Sequence, residues 1–144
     1  IKKGGSKMGY EILETLIYGL FGIICMFAAT FLIDLVVPYD FPKEIKEKNP
    51  AAGFMLAGIY ISVAIIIRTV ICKGENNMQD IMIKIFEILV YVAIGVLFCI
   101  GGYFILAKNK HYNLNEEIDN HNKAAGIMVA GYFIAIAIIM SGVL

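Results

Sequence analysis

Glu14 stands four residues before Tyr18, and Glu87 stands four residues before Tyr91. In a helix this spacing puts a carboxylate and a phenol on one face. Both pairs sit at the start of long apolar segments, and Arg68 lies near the end of another at about the same depth. Ionisable groups inside a membrane usually face a bundle interior, pair with one another and line ion or proton paths. Glu14, Tyr18, Arg68, Glu87 and Tyr91 therefore form the candidate polar cluster. The plainer reading is interfacial: both glutamates border charge-free segments, where they reach headgroup water and favour the positive end of a helix dipole.

Other chemistries find little support. Asp34 closes its apolar segment where the related position is Ala107; it can mark the mouth of a path or, more simply, an interfacial residue before a turn at Pro38. The two histidines, His111 and His121, share one polar loop, so paired intramembrane haem ligands are missing and a metal site between them would be adventitious. The glycine pairs lack the strand and lysine of a phosphate-binding loop. Ser62 and Ser141 have no base beside them in sequence. Cys25, Cys72 and Cys99 show no paired spacing and read as free thiols. Net charge is zero without a basic cluster, which argues against nucleic acid. The sequence thus suggests no catalytic residue, no metal and no cofactor, and the chain is not expected to be an enzyme.

The elements that carry these residues are hydrophobic. Hydrophobic residues make up 60% of the 144-residue chain, and mean hydropathy is +0.79, well above globular usage. Four stretches carry no charge: Thr15 to Ile33, Ala51 to Ile67, Ile88 to Ala107 and Ala124 to Leu144. At about 1.5 Å per residue each crosses most or all of a ~30 Å hydrocarbon layer. Backbone in lipid must satisfy its own hydrogen bonds, so runs apolar on every face are read as helices rather than barrel strands. The fold class is an all-α membrane protein with four transmembrane helices. The first run is too long for a signal peptide, and Met8 can serve as a native start, so the basic residues before it are left out of fold reasoning.

The chain repeats itself. "EIKEKNPAAGFMLAG" (Glu44 to Gly58) returns seventy-three residues later as "EIDNHNKAAGIMVAG", with nine of fifteen positions identical. The same shift lays Glu14 on Glu87, Tyr18 on Tyr91, Gly22 on Gly95, Phe31 on Phe104 and Tyr39 on Tyr112. The expected organisation is a flexible lead over 1–9, repeat 1 over 10–72, a connector over 73–82 and repeat 2 over 83–144. Each repeat is a helix, a polar loop with a short helical turn ending on Ile45 or Ile118, and a second helix. An even number of crossings gives both repeats the same orientation, about an axis along the membrane normal. Asn49, before Pro50, and Asn122 are helix-cap candidates. Gly53 and Ala57, Gly58 and Ser62, Gly126 and Ala130, and Gly131 and Ala135 put small residues four apart, which lets helices approach closely in lipid. The second and fourth spans are the candidates for tight packing.

The acidic or amide loop position (Asp40, Asn113), the "EI" pairs (Glu44-Ile45, Glu117-Ile118) and the N-x-A-A-G helix starts at Asn49 and Asn122 resemble the domain of unknown function 350 family, YjfL-like bacterial inner-membrane proteins. The resemblance covers nearly the whole chain from Met8 onward and implies a multi-pass protein of the cytoplasmic membrane without implying an activity. Lysines and the arginine divide six against six between the two sides, so orientation is undecided by charge; without the lysines ahead of Met8 the long loops would be cytoplasmic. Two functions are expected. The first is a homo-oligomeric accessory or structural protein in envelope maintenance or stress response, with membrane lipid and a soluble or membrane protein as partners; the mixed-charge loops offer a docking face. The second is a minimal channel or transporter with Glu14, Glu87 and Arg68 near one mouth of a path between subunits.

Overall fold

The computed structural model describes residues 3–73 and 80–144. These residues form six helices and no strand: α1 (Lys3–Asp34), α2 (Phe41–Lys46), α3 (Pro50–Cys72), α4 (Asp80–Ala107), α5 (Leu114–Asp119) and α6 (Lys123–Val143). Four of them, α1, α3, α4 and α6, are long and apolar enough to cross a membrane. Large apolar side chains cover their outer faces: Phe27 is 67% exposed, Leu97 68% and Ile105 73%. So extensive an exposed apolar surface calls for hydrocarbon around it.

Local sequence explains the helix boundaries. Pro38 follows α1 by four residues, and the Asp34 carboxylate turns back to accept from the Phe41 amide at 2.8 Å. Asp40 then caps α2, accepting from the Lys43 amide at 3.3 Å. Between α2 and α3 the chain reverses at Lys48, whose φ of 60° is left-handed; between α5 and α6 it reverses at His121, with φ of 63°. The next residue in each case is the cap: Asn49 Oδ1 accepts from the Ala51 amide at 2.9 Å, and Asn122 Oδ1 from the Ala124 amide at 3.0 Å. Pro50 occupies the first turn of α3, where a missing N–H costs nothing.

Helix α3 is the centre of the bundle, in contact with every other helix. Its closest partner is α6. A Cβ on Gly58 would lie 2.6 Å from Ala130 Cα, and one on Gly126 would lie 2.6 Å from Ala51 Cα, so these glycines bring two backbones into direct contact. Around them Met55, Ile59, Val129 and Phe133 are fully buried or nearly so. Helix α4 closes on the pair through Gly95, where a Cβ would meet Ile66 Cδ1 at 2.7 Å, and Gly102, where it would fall on the Tyr132 ring. Helix α1 packs against α3 and α4 and keeps most of its surface open.

Several expectations are corrected. The stretch expected as a flexible lead is helical from Lys3, because an established helix propagates through neighbours that would not nucleate one. Of the expected connector, residues 80–82 already belong to α4, whereas 74–79 lie outside the described residues. The small-residue stripes also separate. Gly58 and Ser62, Gly126 and Ala130 fall in or beside the α3–α6 seam, whereas Gly53 is half-buried beneath Ile45 and Ala57, Gly131 and Ala135 are exposed. Stripes five residues out of phase are rotated by roughly 140° around a helix axis, so one partner helix cannot cover both.

Gly58→Ala and Gly126→Ala force methyl groups onto a facing backbone and are expected to cost about 1–3 kcal/mol each. Gly101→Ala, with nothing within 4 Å of its Cβ, should change stability by under about 0.5 kcal/mol. Thermal unfolding in a mild detergent measures all three.

Candidate functional site

Polar side chains gather at both ends of the bundle, and the two groups differ in kind. At the end where α1 and α4 begin, Tyr18 and Arg68 line one apolar groove between α1 and α3, together with Gly22, Met26 and Ile67. Arg68 is exposed; Glu14 and Glu87 are half-buried. Tyr91 lies elsewhere, its ring 5.8 Å beneath Lys73 Nζ. Lys84 is buried and donates to the Ile71 carbonyl at 3.2 Å, closing off the end of α3. Among the described residues the one ion pair is Lys43–Glu47, in α2 and its cap, so no salt bridge joins Arg68 to either glutamate. Of the five residues expected as a cluster, the structure brings Tyr18 and Arg68 to one groove and leaves Tyr91 at a different contact.

The more organised group is at the loop end; the sequence pointed to Tyr39, Glu44 and Asn49 separately and did not single out Asn115. The buried Tyr39 hydroxyl donates to the Tyr103 hydroxyl at 2.9 Å, with Met55 Sδ 3.2 Å away. Tyr103 in turn donates to Asn115 Oδ1. Beside this chain, Asn49 Nδ2 reaches both Glu44 Oε2 at 2.6 Å and the Ile118 carbonyl at 2.8 Å. Asn49 thus caps α3, holds the carboxylate of α2 and ties both to α5. Residues from α2, α3, α4 and α5 are joined across one end of the bundle. Among the described residues no buried side-chain nitrogen or oxygen lacks a partner.

The signal that could have found this group was the repetition of polar residues inside the loops. Tyr39 and Met55 recur as Tyr112 and Met128, whose hydroxyl and sulfur are 3.5 Å apart. Glu44 and Asn49 recur as Glu117 and Asn122, again hydrogen-bonded. Tyr103 has no tyrosine counterpart: Thr30 stands there and bonds the Met26 carbonyl of its own helix at 3.0 Å.

Burial holds the Tyr39 phenol far above the ordinary tyrosine range, and Tyr103, Asp119 and Glu44 push the same way. This hydroxyl is a donor at every physiological pH. Between the two polar ends the bundle is apolar and filled. The void at its centre, between Ser62, Val96, Phe133 and their neighbours, measures about 10 Å³, at the lower bound of what one water requires.

These features define a polytopic membrane protein with four spanning helices and a hydrogen-bonded belt at one end. The family model described as Domain of Unknown Function (DUF350) matches residues 7–144, and the chain belongs to that family. A UPF0719 transmembrane protein of Aquifex aeolicus (strain VF5) is 26% identical over 138 residues, covering 93% of this chain and 50% of the relative. The chain therefore spans about half the length of that protein. No solved structure matches it.

Asn49→Ala removes a cap and leaves Glu44 and the Ile118 carbonyl without their buried donor. A loss of about 2–3 kcal/mol is expected, against about 1 kcal/mol for Asn122→Ala, whose site is half-exposed; chemical unfolding in detergent compares them. Tyr39 supplies a pH dependence. Its folded pKa is raised, so its contribution is complete below the unfolded value near pH 10 and declines as pH rises beyond it. Ultraviolet titration of the folded protein should count the same number of tyrosinates at pH 11 in wild type and Tyr39→Phe; one fewer in the variant would show Tyr39 ionising in the ordinary range.

Proposed function

We propose that this chain is a structural or accessory protein of the bacterial cytoplasmic membrane, built from two tandem helical pairs of like orientation, that works as a homo-oligomer in envelope maintenance or stress response. The observation that carries this reading is the filled apolar centre: Ile33, Ile59, Val92 and Phe133 meet there around a void of about 10 Å³. The polar side chains of the loop end, Tyr39, Tyr103, Asn115, Glu44 and Asn49, are bonded to one another, and Glu14, Glu87 and Arg68 stay at the opposite end, with no ion pair between them among the described residues. Support for the doubled pair comes from the shift of seventy-three residues, which relates α2 to α5, Asn49 to Asn122 and the left-handed Lys48 to the left-handed His121. Both polar loops lie at one end, since Asn49 bonds the Ile118 carbonyl. Family membership and a curated transmembrane relative agree with a membrane role. The exposed, mixed-charge surface of α2, with its Lys43–Glu47 pair at 4.0 Å, suits a soluble partner, and the apolar flanks suit lipid.

The channel or transporter reading is less well supported. It needs Glu14, Glu87 and Arg68 to line a path between subunits, because the void at the centre of the described residues measures only about 10 Å³.

Purified protein in liposomes decides between the two. Wild type and Glu14→Gln/Glu87→Gln are expected to give no flux of protons, sodium, potassium or chloride above empty vesicles at either sign of potential. Flux that the double substitution abolishes would replace the accessory role with transport. In cells lacking the protein, both forms should restore tolerance to envelope stress equally.

A further inference from the structure

Burial differs between equivalent positions of the two halves, and the differences are complementary. Ile118 is fully buried, and its counterpart Ile45 is 47% exposed. Ala51 is fully buried beneath Gly126, whereas Ala124, its counterpart, is exposed. Gly58 is pressed against Ala130; the equivalent Gly131 has nothing within 4 Å, and the equivalent Ala57 is exposed.

One geometric fact accounts for all of these. The first half offers α2 and the start of α3 as a socket, and α5 and α6 of the second half fill it: Asn49 donates to the Ile118 carbonyl, Gly126 sits on Ala51, and Ala130 on Gly58. The second half carries the same socket residues, and among the described residues nothing fills them. They line an open groove of about 330 Å³ between Tyr112, Glu117, Asn122, Ala124 and Met128. The first half carries the counterparts of the filling surface, Ile45, Gly53 and Ala57, with Ile45 and Ala57 open to the surroundings and Gly53 half-buried. A two-fold relation within the chain would cover both sockets or neither. Here α3 packs on α4, and among the described residues no comparable contact joins α6 to α1, so the contact between halves is head to tail.

We propose that the groove over Tyr112, Asn122 and Ala124, with the exposed Gly131 further along α6, is a docking site for a second copy of this chain, which inserts its Ile45, Gly53 and Ala57 surface and so continues the interface that already joins the two halves. Asn122 Nδ2 then donates to the incoming Ile45 carbonyl, Ala124 meets Gly53, and Gly131 meets Ala57. The interface is heterologous: each copy keeps one free socket and one free filling surface, and successive additions close into a ring about the membrane normal or extend as a row. This deepens the homo-oligomer reading and rests on it.

Disulfide trapping tests the pairing. Full-length chains carrying Cys72→Ser, to remove the exposed native thiol, are given Ala57→Cys or Gly131→Cys with different tags and are co-expressed and oxidised in membranes. Both substitutions fall at exposed positions, so the fold should survive them. The expected result is a cross-linked dimer joining the two tags, no dimer from either variant alone, and a ladder of dimer, trimer and larger species from one chain carrying both cysteines. Gly131→Leu, which fills the socket, should reduce the wild-type oligomer in nanodiscs at least tenfold while leaving helix content and thermal unfolding unchanged. Self-cross-linking of Ala57→Cys or of Gly131→Cys would indicate a two-fold interface and overturn the proposal. A wild-type oligomer of unchanged size in Gly131→Leu, with no mixed cross-link, would overturn it while leaving the homo-oligomer intact. A wild type that is monomeric in nanodiscs would remove both.

Discussion

Direct contact between the backbones of α3 and α6 organises this bundle. In lipid, apolar side chains gain little by leaving one hydrocarbon environment for another, so helices associate through van der Waals packing and hydrogen bonds. Packing of that kind requires close approach, and Gly58 against Ala130 and Gly126 against Ala51 provide it. Once α3 and α6 are joined, Met55, Ile59, Val129 and Phe133 interlock beside the glycines, and α4 closes over them at Gly95 and Gly102. Helix α1 is held more loosely, with most of its surface facing outward.

The hydrogen-bonded belt follows from the same medium. A polar group left unpaired near hydrocarbon costs several kcal/mol, on the order of a lost hydrogen bond or more. The loops between the spans are rich in such groups, and the structure binds them to each other: Asp34 to α2, Tyr39 to Tyr103, Tyr103 to Asn115, and Asn49 to Glu44 and Ile118. The outcome is one end of the bundle at which α2, α3, α4 and α5 are tied together. The opposite end, with Arg68 exposed in its groove, is left to interact with its surroundings.

Similar halves need not have similar environments. Asn49 is almost fully buried and donates to both Glu44 and the Ile118 carbonyl, whereas Asn122 is half-exposed and donates to Glu117. The local chemistry of cap, carboxylate and left-handed residue is the same in both, because it depends on neighbours along the chain. The surroundings depend on what the other half covers. Ala51 is covered by Gly126, whereas Ala124 is exposed.

The spans, their ends and the local turns were legible in the sequence. Uninterrupted apolar runs must be helical in hydrocarbon, and asparagine before a small-residue run caps a helix; each of these rests on forces acting within a few turns of chain. The pairing of Tyr39 with Tyr103, sixty-four residues apart, and the choice of Gly58 over Ala57 or Gly126 over Gly131 for the seam belong to tertiary structure alone. Every one of those glycines and alanines has the same intrinsic capacity for close packing, and only the rotation of one helix against another decides which is used.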